Sequence, residues 1–171
     1  MRHLLILISA VALAGCSEAA SEPPPVVATD EMPAEIGFEL RLDGARSLIA
    51  NLGAAYRDPI DISVHDDGFS GGQMVHLLFR DRSASIGVLP DGRVWQLAVR
   101  AGIGDRCGKS QEIQQAVVPM LLAVRLMPTS PQLADLTRGL SSETPVKTFF
   151  GRKRATTVGG CIKTLDIRTD V

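Results

Sequence analysis

The sequence predicts one α+β domain over residues 38–171, a mainly antiparallel sheet with about three helices packed on it. Three observations carry this. Short segments alternate apolar and polar residues, the mark of half-buried strands. Apolar residues recur at helical spacing in two places, and a Ser-Pro start with a glycine stop marks a third helix. Turn chemistry separates successive strands closely enough for hairpins, which favours antiparallel pairing, and the helices must then lay their apolar stripes on a sheet face.

Taken in order, residues 38–42 read Phe-Glu-Leu-Arg-Leu and alternate as a strand, with Asp43 placed to cap a helix. Ala45, Leu48, Ile49, Leu52 and Tyr56 then recur at helical spacing, and Pro59 stops that helix near Arg57 by disfavouring helical geometry before it. Strands are expected at 60–64, 74–79, 84–89 and 94–101. The last two are joined by Pro90-Asp91-Gly92-Arg93, a hairpin signal. In the fourth strand Trp95, Leu97 and Val99 share one face and Gln96, Ala98 and Arg100 the other, which predicts one buried and one wetter side of the sheet.

Ser110 is placed to cap a second helix running to about Leu126, with Ile113, Val117, Leu121 and Val124 toward the core and Pro119 kinking it. Ser130 followed by Pro131 opens a third helix that runs to Arg138 and stops at Gly139. Strands at 146–150, 155–158 and 161–167 complete the sheet, and Arg152-Lys153-Arg154 falls at a hairpin tip.

Ahead of this domain stand Met1-Arg2-His3, an aliphatic run from Leu4 to about Ala12, and Leu13-Ala14-Gly15-Cys16. The positive start, an apolar segment too short to span a bilayer and the small residues before a cysteine resemble the lipobox of bacterial lipoproteins. The resemblance covers residues 1–16 alone. It implies that residues 1–15 are a signal peptide, that the Cys16 thiol carries a diacylglyceryl group and that the new amino terminus is acylated, as with palmitate. Each buried methylene contributes about 0.8 kcal/mol, so several chains anchor firmly where one does not. Ser17 rather than Asp after the cysteine implies export to the outer membrane, facing the periplasm, in a cell with two membranes. In a cell with one, the anchor implies the outer face of that membrane.

Residues 16–37 are then the lipidated cysteine and a tether, small, acidic and rich in proline, in which Pro23-Pro24-Pro25 favours extended geometry at about 3 Å per residue. Removing residues 1–15 takes away Arg2 alone among the charges and leaves 17 Lys+Arg against 19 Asp+Glu. A near-neutral chain outside the cytoplasm has no field to steer nucleic acid, so no nucleic-acid partner is expected.

In an oxidising compartment Cys107 and Cys161 form an even pair, and a disulfide is the expectation, with a loop-closure contribution of roughly 4 kcal/mol. A metal site needs more ligands than two distant thiols, and a nucleophilic cysteine needs a neighbouring base.

The stretch from Gly102 to Ser110, with Gly104, Gly108 and Lys109, invites reading as a phosphate loop. The spacing fails, because the first glycine of that motif falls on Ile103. Lys109 remains a candidate binding residue for an anion at the helix start. His65-Asp66-Asp67-Gly68 with Asp61 upstream fits no ligand spacing, since an EF-hand begun at Asp61 meets Gly72 where its bidentate glutamate belongs, and ordinary loop chemistry is expected. His76, between Met74 and Leu78, reads as a structural histidine. No serine, Ser70 included, stands in a nucleophile context. No catalytic residue, metal ligand or cofactor is therefore assigned.

One positive signal remains. From Val146 to Val171 there are six basic residues, Lys147, Arg152, Lys153, Arg154, Lys163 and Arg168, against Asp166 and Asp170. Arg152, Lys153 and Arg154 are accordingly candidate binding residues for an anionic envelope component or another envelope protein. The function expected is a non-catalytic envelope lipoprotein with an assembly, inhibitor or immunity role. The alternative is a small periplasmic hydrolase whose site is assembled from residues distant in sequence and invisible in it.

Overall fold

The computed structural model describes residues 36–44, 56–103 and 106–169. Cys16, the signal peptide and most of the tether lie outside the described residues, as does the helix expected at 45–57 apart from its last two positions.

The described chain forms one sheet of seven strands, β1 (Asp61–Asp66), β2 (Gln73–Leu78), β3 (Arg82–Val88), β4 (Val94–Ala101), β5 (Val146–Phe150), β6 (Lys153–Val158) and β7 (Lys163–Thr169). Their order is β1-β2-β3-β4-β7-β6-β5, antiparallel throughout. The first four strands form a meander. Two helices, α1 (Ser110–Ala123) and α2 (Ser130–Gly139), then carry the chain to the far edge, from which β5, β6 and β7 return to pair with β4. The expected α+β architecture stands, with two helices among the described residues in place of about three.

The helices pack on one face only, α1 against β4 and β7 and α2 against β5 and β6. Strand alternation explains which residues they meet: Leu97 and Val99 of β4, Leu165 and Ile167 of β7 and Ala155 of β6 are all buried, facing Ile113, Met120 and Leu136 of the helices. Gly139 does not stop α2 by adopting a left-handed cap, as the sequence suggests. It is the last helical residue, and a β-carbon there would stand 1.8 Å from Thr157 Oγ1. It is small because helix and sheet meet at that point.

Other boundaries move for physical reasons. Residues 38–42 form no strand but pair along the β3–β4 turn: Phe38 N–H donates to the Val94 carbonyl at 2.6 Å and Val94 N–H to the Leu40 carbonyl at 2.9 Å. The β3–β4 turn is itself held by Asp91, whose carboxylate accepts from Arg93 N–H at 3.0 Å and Arg93 Nε at 2.6 Å, with Gly92 at φ 84°. Helix α1 is capped by Lys109 rather than Ser110 and ends at Ala123, short of Leu126. Leu126 N–H returns to the Leu121 carbonyl at 2.8 Å around Arg125 at φ 54°, a closed C-terminal turn. Pro119 lies within α1.

Cys107 and Cys161 are joined, their sulfurs 2.02 Å apart. The bridge ties the loop after β4 to the β6–β7 turn, and beside it Gly108 N–H donates to the Cys161 carbonyl at 2.8 Å. No described helix is long and apolar enough to cross a membrane.

Candidate binding face

The face of the sheet turned away from the helices is built by the same alternation, read one residue over. The register aligns its side chains in rows. One row runs Ser63, His76, Ser85, Ala98, Asp166, Thr156, Lys147 from β1 to β5, and its neighbour runs His65, Met74, Gly87, Gln96, Arg168, Arg154, Phe149. The middle of this face is floored by small residues, Ser83, Ser85 and Ala98, and the larger side chains around them leave a recess of about 310 Å³. His76, Gln96, Arg100, Thr164 and Asp166 also line it.

Asp166 is the most constrained group there. Gln96 Nε2 donates to its Oδ1 at 3.1 Å, and Arg168 Nη2 lies 3.5 Å from its Oδ2. Burial pushes its carboxyl above the usual range, opposed by Arg168, by the Gln96 hydrogen bond and by Arg154. Arg154 and Arg168 stand directly opposite each other across β6 and β7. Like charges so placed are destabilising in a sheet, and the Asp166 carboxylate lies beside them.

His76 is held below the ordinary histidine range, first by burial and then by His65, whose ring centroid is 5.6 Å away. His76, Ser85 and Asp166 line one recess, yet they do not make a catalytic relay. His76 is on β2 and Asp166 on β7, three inter-strand spacings apart, or about 14 Å at ~4.8 Å each. A general base and its orienting carboxylate need hydrogen-bond contact.

At one end of the recess the β3–β4 ladder bulges, so that Trp95 has no partner between the pairs Gly87↔Gln96 and Val88↔Val94. Its indole lies over Gly87, where a β-carbon would stand 2.5 Å from Nε1. Phe69, 70 % exposed on the β1–β2 loop, covers it with ring centroids 5.8 Å apart. Trp95 itself is 4 % exposed, and its buried Nε1 has no hydrogen-bond partner among the described residues.

The loop that presents Phe69 is tied by Asp67, whose carboxylate accepts from Phe69 N–H at 3.1 Å and from Ser70 Oγ at 2.6 Å, while Gly72 N–H donates to Ser70 Oγ at 3.2 Å. The Asp-Asp-Gly segment is therefore loop chemistry, and no metal-binding cluster of His, Cys, Asp or Glu occurs among the described residues.

The residues singled out from the sequence are not brought together. Arg152 alone of its triplet sits in the β5–β6 turn; Lys153 and Arg154 belong to β6 and are half-buried. Lys153 turns to the packed side, its Nζ 5.4 Å from the centroid of Phe38, and Arg154 faces the open side beside Arg168. Lys109 lies at the opposite end of the sheet, near Ala101 and Cys161, roughly 20 Å away along β7. The helix start it marks already holds an anion: the Glu112 carboxylate accepts from Lys109 N–H at 2.9 Å and pairs with Arg106 at 2.5 Å. What sequence reasoning missed is the alignment of Gln96, Arg100, Asp166 and Arg168. Alternation in β4 exposes the first two, but nothing in the sequence pairs β4 with β7. Neither family models nor curated proteins nor solved structures give a match to this chain.

Proposed function

We propose that this chain is a lipid-anchored cell-envelope protein whose periplasm-facing domain binds an anionic envelope component on the open face of its sheet, in an assembly, inhibitor or immunity role. Residues 1–16 support the anchor through their resemblance to a lipobox. The observation that carries the binding role is the arginine pair, Arg154 opposite Arg168, set with Arg100 and Lys147 on a face whose strands are otherwise fully paired. An anionic ligand on this face would meet both guanidinium groups at once, besides the contacts they make within the fold.

The test is crosslinking of the membrane-anchored protein followed by recovery of its partner. Arg154→Gln with Arg168→Gln lowers recovery, most at low salt, where screened attraction is strongest. Arg152→Gln with Lys153→Gln changes it far less. Equal recovery from all three proteins at low and physiological salt refutes the binding face. The anchor is tested separately, by labelled fatty acid that enters the wild type and not Cys16→Ser.

A further inference from the structure

We infer that the chain pairs with a second copy of itself through β1, Ile62 lying opposite the second copy's Val64 so that the two sheets run on as one. This surface is the free edge of the sheet, separate from the recess and from the arginine pair.

The two edges of the sheet are built differently. At the β5 edge Lys147 stands exposed within the strand, and Gln132 of α2 donates from its side chain to the Phe149 carbonyl at 2.9 Å. A charged side chain and a covering helix are means by which an edge is kept from pairing with another chain. β1 has neither guard. Its register with β2 is continuous from Asp61 to Asp66, with no bulge to twist it away, and it holds no lysine, arginine or proline. Its outer side pairs with no strand among the described residues. Ile62 and Val64 lie opposite Leu77 and Val75, which are buried, yet they are themselves 38 % and 49 % exposed. The apolar side of the sheet thus runs out to this edge and ends there in contact with solvent.

The sequence of the strand matches itself. Asp67 N–H donates to the Gly72 carbonyl at 2.9 Å in the β1–β2 register, so by alternation Ser63 and His65 bond to β2 while Ile62 and Val64 turn their N–H and C=O groups outward. A second β1 laid antiparallel must match outward groups to outward groups and keep apolar side chains on one face, which excludes any register displaced by a single residue. With Ser63 at the centre, Ile62 exchanges backbone hydrogen bonds with the second copy's Val64, and Val64 with its Ile62. The aliphatic side chains then gather on the packed side. On the open side Asp61 meets the second copy's His65 in both directions, a carboxylate opposite an imidazole that can donate to it. Centring on Val64 instead sets Ile62 against the second copy's Asp66. The carboxylate near one end of the strand and the imidazole near the other complement each other only when the strand runs against a copy of itself, and this selects a second copy over an unrelated chain.

In this arrangement Ser63 faces its own counterpart in a pair that shares no hydrogen bonds, with α-carbons about 4.5 Å apart, a span a disulfide bridges. Full-length Ser63→Cys is expressed in cells, treated with a mild oxidant and separated without reductant. It should yield a reducible dimer at roughly ten times the level given by Lys147→Cys on the far edge. Asp66→Cys should stay at that background level, since its two copies lie about 20 Å apart at ~3.4 Å per residue. Adding Val64→Lys to Ser63→Cys should cut the dimer roughly tenfold, as an edge lysine blocks pairing. Adding Asp61→Lys should also cut it, and Asp61→Lys together with His65→Asp should restore it. Arg154→Gln with Arg168→Gln should leave it unchanged.

A Ser63→Cys dimer no more abundant than that of Lys147→Cys overturns the pairing. A reducible product whose mass is not twice that of the chain overturns the second copy and gives the edge to another protein. Failure of the reversed charges to restore the dimer overturns the register.

Discussion

The two faces of the sheet share every strand and divide the work of the molecule between them. Leu97, Val99, Leu165 and Ile167 point to the helices and are buried among apolar side chains. Gln96, Ala98, Arg100 and Asp166, their immediate neighbours in sequence, point the other way and line a polar recess, with Arg168 beside it. Stability resides on one parity and the proposed recognition on the other. A substitution's consequence should therefore depend less on its chemistry than on whether its position is odd or even within β4 or β7.

Adjacent positions put this to its severest test. Leu97→Asp forfeits a fully buried side chain and places a carboxylate among apolar neighbours, a loss on the order of 5 kcal/mol or more. That is comparable to the whole stability of a typical domain, so no cooperative unfolding transition should remain in denaturant. Breaking the staple that both faces share comes next. Cys161→Ala should lower the unfolding free energy by roughly 2–5 kcal/mol, checked by denaturant midpoints, with both thiols of the wild type resisting alkylation under non-reducing conditions. Ala98→Asp, one residue from Leu97, should change stability by only about 0.2–1 kcal/mol, since it adds a like charge opposite Asp166 on the open face. Its effect falls instead on the proposed binding face: recovery of the crosslinked partner should drop. Loss of folding in Ala98→Asp, or of binding with no loss of folding in Leu97→Asp, would break the division between the faces.

The packed face was legible because burial leaves a period in the sequence. The four meander strands, the turn at Pro90-Asp91-Gly92-Arg93 and the strands of the C-terminal third lie within a few residues of where alternation puts them. The open face was only half legible. Gln96, Ala98 and Arg100 are visible as a polar stripe, but their meeting with Asp166 and Arg168 depends on β7 pairing with β4 across more than sixty intervening residues. No local pattern encodes that register. The basic triplet misleads for a related reason. Three consecutive residues in or beside a strand cannot share a face, so Lys153 and Arg154 part to opposite sides whatever their charge. Ser110 misleads more subtly: serine is the better N-cap, yet Glu112 reaches the Lys109 N–H and moves the helix start back by one residue.

The mildest difference between the faces is one of pH. On the packed side Tyr56 is buried, its hydroxyl donating to the Ala98 carbonyl at 3.1 Å, and burial raises its pKa so that it stays protonated. On the open side His76 is pushed below the ordinary value of about 6.5, mainly by burial and further by His65. A histidine with a lowered folded pKa favours its neutral form in the native state. Its contribution to stability is fully present above the unfolded pKa, declines as pH falls through about 6.5 toward the folded value, and levels off below it. His76→Gln should flatten that decline, measured as the difference in denaturant midpoint between pH ~7.5 and ~5.5. His65→Gln should flatten it only in part, because it removes the smaller cause and leaves burial in place. If His65→Gln flattens the decline as fully as His76→Gln does, charge repulsion and not burial governs this corner of the face.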